Sequence, residues 1–135
     1  MCATARSLRL ISTILSMFKY CNVQPNRKKL PDCVCRAISL AVGADYFDIM
    51  ALLQSNAIEC GCESLNVDCY AKILDEVGYP CFAAFGRTVE EIAAEHPDKR
   101  LIIRMDGHLT CVLYGVCHDI WDCTGIAADR FWMVS

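Results

Sequence analysis

No C-x-x-C pair occurs in this chain, although 11 of its 135 residues are cysteine. The tightest spacings, Cys33/Cys35 and Cys60/Cys62, are C-x-C, and no H-x₃₋₅-H follows, so the usual zinc spacing is missing. Glycine (7) and proline (4) are scarce, and the cysteines fall mostly inside apolar segments rather than in loops. With the odd count, this argues against a secreted disulfide scaffold. It points instead to reduced thiols in the cytoplasm, where a buried cysteine behaves as a small apolar residue. An excess of basic charge is also missing: the net charge of −3 excludes a general nucleic-acid binder held by phosphate contacts. The short clusters Arg27-Lys28-Lys29 and Lys99-Arg100 read as solvated surface. No apolar run is long enough to span a membrane, and residues 8–18, which contain Arg9, lack a small-residue cleavage site for a signal peptide.

What is present is a core. Hydrophobic residues make up 55% of the chain and charged residues 21%, enough to exclude disorder and to support one domain. Leu8, Ile11, Leu15 and Phe18 share a helical face, which predicts an N-terminal amphipathic helix able to mediate oligomerisation. Helical spacing continues over residues 45–54 and 66–77, the latter with Asn66 as N-cap and Gly78 as stop. Residues 55–64 read as a loop. Residues 80–85 read as a strand, and Thr88 with Glu91 forms a capping box that opens a further helix ending near His96-Pro97. The period then changes. Residues 100–104, 109–113, 116–121 and 131–134 read as strands, the middle pair joined by a Tyr114-Gly115 turn. Helices first and an antiparallel sheet second predict an α+β fold, with no internal repeat or domain linker.

The chemistry centres on residues 30–43. Pro31 and Asp32 make a helix start and Gly43 a helix stop, while Val34, Ala37, Ile38 and Ala41 fall on one buried face. Cys33 then stands in the first turn, where the helix dipole and unpaired N–H groups favour a thiolate. Cys35, about 160° around the helix from Cys33, reads as structural.

A cysteine nucleophile needs a histidine beside it, itself held by a carboxylate or amide. His96 sits at a helix end, where the dipole alone explains it. If Tyr114-Gly115 is a two-residue turn, Leu113 faces Val116, Thr110 faces Asp119 and His108 faces Trp121. His108, Thr110, Asp119 and Trp121 then share one face of the hairpin, with His108 and Asp119 as diagonal neighbours. His118 and Asp122 point to the other face unless a bulge shifts the register, so Asp122 stands as the alternative acid.

The order Cys at a helix start, His on a strand and Asp on the next resembles the papain-like cysteine peptidase superfamily. Asp32-Cys33 followed by Ala37 and Leu40 resembles the bacteriocin-leader peptidases (family C39). The segments 32–39, 88–92, 107–109 and 119–122 are similar to motifs of small C39-like proteins of tailed phages and bacteria. The resemblance covers residues 18–132 and implies a papain-like domain over 17–135 behind an extension of residues 1–16. It implies Cys33 as nucleophile, His108 as general base, Asp119 as orienting acid and Trp121 as a shield over the His–Asp contact. Relatives carry an oxyanion glutamine six residues before the cysteine; here that position is Arg27, and Gln24 is the nearby candidate.

The expected function is therefore a cysteine peptidase or isopeptidase of the cytoplasm acting on a protein or peptide through a thioester, with no cofactor. Acyl transfer by the same triad is an allied outcome. The alternatives are a catalytically silent binding or inhibitor protein of phage or bacterial origin on the same fold, and a zinc or redox protein built on the many cysteines, with Cys60, Cys62 and Cys69 as the set that could hold a metal.

Overall fold

The computed structural model describes residues 17–28 and 31–135. In chain order the elements are β1 (Phe18–Tyr20), α1 (Cys33–Val42), α2 (Tyr46–Cys60), α3 (Val67–Val77), β2 (Cys81–Ala83) and α4 (Val89–Glu95). They continue with β3 (Arg100–Met105), β4 (His108–Leu113), β5 (Val116–Asp119) and β6 (Ala128–Met133). The fold is α+β: the described residues form four helices and one six-stranded sheet in the order β1-β5-β4-β3-β6-β2. No described helix is long and apolar enough to cross a membrane.

The sheet is mixed rather than purely antiparallel, because β1 runs parallel to β5, pairing Phe18 with Cys117 and Tyr20 with Asp119. The sequence puts Phe18 at the end of an amphipathic helix; in the fold it belongs to this strand. Phe18-Lys19-Tyr20 has strand-favouring aromatics but is too short to mark a strand by itself, and the ladder supplied by β5 makes it one. The rest of that expected helix, and the oligomerisation assigned to it, lies outside the described residues.

Each face of the sheet carries its own apolar core, because successive strand residues point to opposite sides. On one face Ile102, Leu109, Cys111 and Trp132 pack under Val34, Ala37 and Ile38 of α1 and the buried residues of α2 and α3. On the other, Leu101, Ile103, Met105, Val112 and Phe131 pack against Val89, Ile92 and Ala93 of α4. The Thr88–Glu91 capping box is formed in full, and Asp45 and Asn66 cap α2 and α3 through their side chains.

Helix α2 is longer than the spacing over residues 45–54 predicts. It runs on to Cys60 because Asn56, which reads as a loop residue, is buried and ties the helix to α3 by donating to the Cys69 carbonyl at 2.8 Å. β6 likewise begins before Phe131, since Ala128 to Arg130 are recruited by β3. β5 stops at Asp119 rather than Trp121, leaving Ile120 and Trp121 in the bend beyond it. The β4–β5 hairpin keeps the predicted register, Leu113 opposite Val116 and Cys111 opposite His118.

The thiols are not all reduced. Cys62 and Cys69 form a disulfide with a Cα–Cα separation of 5.9 Å. That corrects the reading of Cys60, Cys62 and Cys69 as a free metal-ligating set, because two of the three sulfurs are bonded to each other.

Candidate functional site

Helix α1 enters the core at Asp32, but Asp32 does not cap it. The carboxylate makes no bond to the first turn; Oδ1 accepts from Arg36 Nε at 2.7 Å and Oδ2 from the Tyr46 hydroxyl at 2.6 Å. The carboxylate is turned to side chains, so the N–H groups at the helix start beside Cys33 have no side-chain cap from Asp32. Arg36 reaches onward: its Nη1 donates to Asp119 Oδ1 at 3.0 Å. Asp32, Arg36 and Asp119 are all buried, a cation between two carboxylates that ties α1 to the end of β5.

Asp119 is saturated. Oδ1 also accepts from the Ile120 N–H at 2.7 Å, while Oδ2 accepts from Thr110 Oγ1 at 2.6 Å and meets His108 Nε2 at 2.7 Å. Thr110, His108 and Asp119 thus meet as the hairpin register predicts. Burial pushes the Asp119 carboxyl up, but His108, Thr110 and the Ile120 N–H together hold it down at about 2. Burial opposes a charge on His108, yet Asp119, with Cys123 and Cys33 beside the ring, raises it to about 11. With Nε2 engaged by Asp119, Nδ1 is the ring nitrogen left for another partner.

The Cys33 thiol lies in the same cleft. Burial pushes it up, but the His108 imidazole, the Leu109 backbone N–H and the charges of His108 and Arg36 outweigh burial and leave it below the ordinary thiol range. Trp121 lies over the histidine, ring centroids 4.9 Å apart, and is itself 43% exposed. The cleft, about 350 Å³, is lined by Val34, Leu65, Val67, Tyr70, Leu109 and Trp121 together with Cys33 and His108.

The remaining sequence candidates are placed elsewhere. Asp122 is exposed and turns to Thr124, accepting from its N–H at 3.0 Å and its hydroxyl at 2.6 Å. His118 Nδ1 meets the Val116 carbonyl, and the His96 ring packs on Phe131. Cys35 is buried and donates to the Tyr46 carbonyl at 3.3 Å, and burial pushes its thiol up to about 12. Gln24 is buried in the loop before α1, where its Oε1 accepts from the N–H groups of Asn26 and Lys28 at 2.8 and 2.9 Å. It lines a neighbouring hollow with Tyr20 and Arg27 and is not among the described residues that wall the Cys33 cleft.

Three participants escape a reading of the sequence alone: Arg36, Tyr46 and Cys123. The one local signal is Arg36 itself, an arginine four residues after Asp32 in an otherwise apolar helix. His108, Asp119 and Cys123 also offer ligand atoms within 4.8 Å of one another. The Arg36 guanidinium on the other Asp119 oxygen sets a positive charge against any cation there, and Thr110 and Ile120 fill the carboxylate, so the donor set does not fit a metal. Compared with models of known protein families, with curated proteins and with solved structures, the chain gives no match.

Proposed function

We propose that the chain is a papain-like cysteine hydrolase that cleaves an amide bond, peptide or isopeptide, with Cys33, His108 and Asp119 as its triad. One observation carries the reading: the imidazole held by Asp119 at 2.7 Å stands beside a thiol at the start of a buried helix. Asp119 orients the ring through Nε2 and balances its charge, and Nδ1 is the nitrogen that would serve Cys33. His108 and the Leu109 N–H shift Cys33 toward the thiolate, and Asp119 shifts His108 toward the imidazolium.

The Cys33 sulfur attacks the amide carbonyl carbon, and the carbonyl π pair moves onto oxygen. The Cys33 backbone N–H, left free of a side-chain cap, meets that oxyanion. Collapse expels the amine, which takes the proton from His108 and leaves a Cys33 thioester. Water, losing a proton to His108, attacks the thioester carbonyl; the carboxylate product leaves and the Cys33–His108 pair is restored. An amine in place of that water would make the same site an acyltransferase.

A second reading, a binding protein on the same fold, is favoured by the position of Gln24 outside the described walls of the cleft. Iodoacetamide decides between them. Near neutral pH Cys33 should label about tenfold or more faster than the exposed Cys81, and His108→Ala should abolish that advantage. Labelling of Cys33 no faster than Cys81 would sink the enzyme reading.

A further inference from the structure

Three cysteines stand at and around the connection between α2 and α3. Cys62 and Cys69 are joined, and Cys60, the last residue of α2, is a free and exposed thiol. One buried amide touches two of the three: Asn56 Nδ2 donates to Cys69 Sγ at 3.3 Å, and its Oδ1 accepts from Cys60 Sγ at 3.5 Å. Lys72 Nζ donates to Cys60 Sγ at 3.2 Å, so the thiol bonded to Asn56 on one side is bonded to Lys72 as well. The disulfide closes residues 62–69 into a ring, and within that ring Leu65 and Val67 form one wall of the cleft that holds Cys33 and His108.

We propose that Cys60, Cys62 and Cys69 form a thiol–disulfide exchange site that sets the shape of the cleft beside Cys33. The proposal rests on reading that cleft as the substrate site. In the internal step Cys60 gives its proton to solvent and its sulfur attacks Cys69 Sγ. The Cys60–Cys69 bond forms as the Cys62–Cys69 bond breaks, the electron pair leaves on Cys62 Sγ, and that thiolate takes up a proton. No net electrons move, and the ring gains the slack of Gly61 and Cys62. In the external step a dithiol, as a small molecule or a protein, opens the bond. Its first thiolate makes a mixed disulfide and its second displaces the chain, so two electrons pass to the bridge, both cysteines become thiols and the dithiol is oxidised. A disulfide of this kind suits a redox-responsive protein of a reducing compartment.

The ring clamps Leu65 and Val67 against the cleft while closed and releases them when opened. Loss of the wall affects a substrate that fills the cleft and spares a reagent that needs only the sulfur.

The test uses the full chain purified under air. Acid-quenched peptide mapping should find the Cys62–Cys69 bridge with a Cys60–Cys69 fraction, the latter absent from Cys60→Ser. Iodoacetamide and a leucyl-peptide chloromethyl ketone then probe Cys33 before and after reduction by dithiothreitol and its removal. Reduction should change the iodoacetamide rate by less than about twofold and slow the peptidyl probe about fivefold or more, a coupling of ordinary size. Cys69→Ser, which removes the sulfur common to both bridges, should reproduce the slow peptidyl rate without reductant. Free Cys62 and Cys69 in the air-purified chain, no Cys60–Cys69 fraction, or a peptidyl rate unmoved by reduction would each overturn the proposal. A Cys33 no more reactive to iodoacetamide than Cys81 would remove the enzyme reading alone. Amide hydrogen exchange over residues 64–67 still decides the switch in that case, since it should quicken on reduction and overturns the proposal if it does not.

Discussion

Arg36 is surrounded by groups that need it. Asp32 and Asp119 each take one of its nitrogens, and both carboxylates are buried. Replacing it with methionine keeps the stem volume and strands two buried anions, which should cost about 3–5 kcal/mol in urea unfolding. Arg36→Lys keeps the charge but cannot span both carboxylates, and should fall between the two. The histidine gives a second test. His108 is raised from its ordinary 6.5 to about 11, so the stability it contributes is fully present below pH 6.5 and is lost as pH rises toward 11. The stability gap between the native chain and His108→Gln should therefore be widest near pH 5.5 and narrow at pH 8 and 9. A gap that stays flat with pH would contradict an Asp119-stabilised imidazolium. At this scale the sequence reveals residues whose neighbours in the chain mark them: Cys33 after Asp32 at a helix start, and His108 and Asp119 on one hairpin face. It does not reveal that the Asp32 carboxylate leaves the helix-start N–H groups for Arg36 and Tyr46, because the Tyr46 bond forms only once α2 is packed on α1.

The β4–β5 turn is under local strain. Tyr114 has φ +52° and Gly115 φ +84°, the two left-handed residues of a hairpin turn whose first position suits asparagine far better than tyrosine. Because the Tyr114 ring is largely exposed, Tyr114→Asn should raise stability by about 0.5–1 kcal/mol, read as a shift in the urea midpoint. Gly115→Ala should lower it, since no alanine holds that φ without cost. Elements with their own punctuation are legible in the sequence: α1 between Asp32 and Gly43, α3 between Asn66 and Gly78, α4 behind its capping box, and this hairpin. β1 and the extra turns of α2 are not, because β5 and α3 supply the bonds that define them.

Across the whole molecule the sheet separates two cores, one under α1 to α3 and one under α4. Ile38 belongs to the first and Ile92 to the second, and both are buried. Ile38→Val and Ile92→Val should each cost about 1 kcal/mol, and the double variant should equal their sum within about 0.5 kcal/mol. A larger departure would mean that the sheet transmits strain between its faces. The order of helices before strands makes the α+β class readable in advance, but not the second layer, since nothing in residues 89–95 says which side of the sheet they cover.

The Asp32–Arg36–Asp119–His108 chain also constrains how such a protein can change over generations. With His108 protonated, its two anions and two cations cancel, so any single replacement that removes one charge leaves another buried without its counterpart. Cys33 is no member of that chain and could be lost in one step at little structural cost. The charged chain would have to be abandoned two members at a time, so a descendant without Cys33 should still carry the arginine and both aspartates.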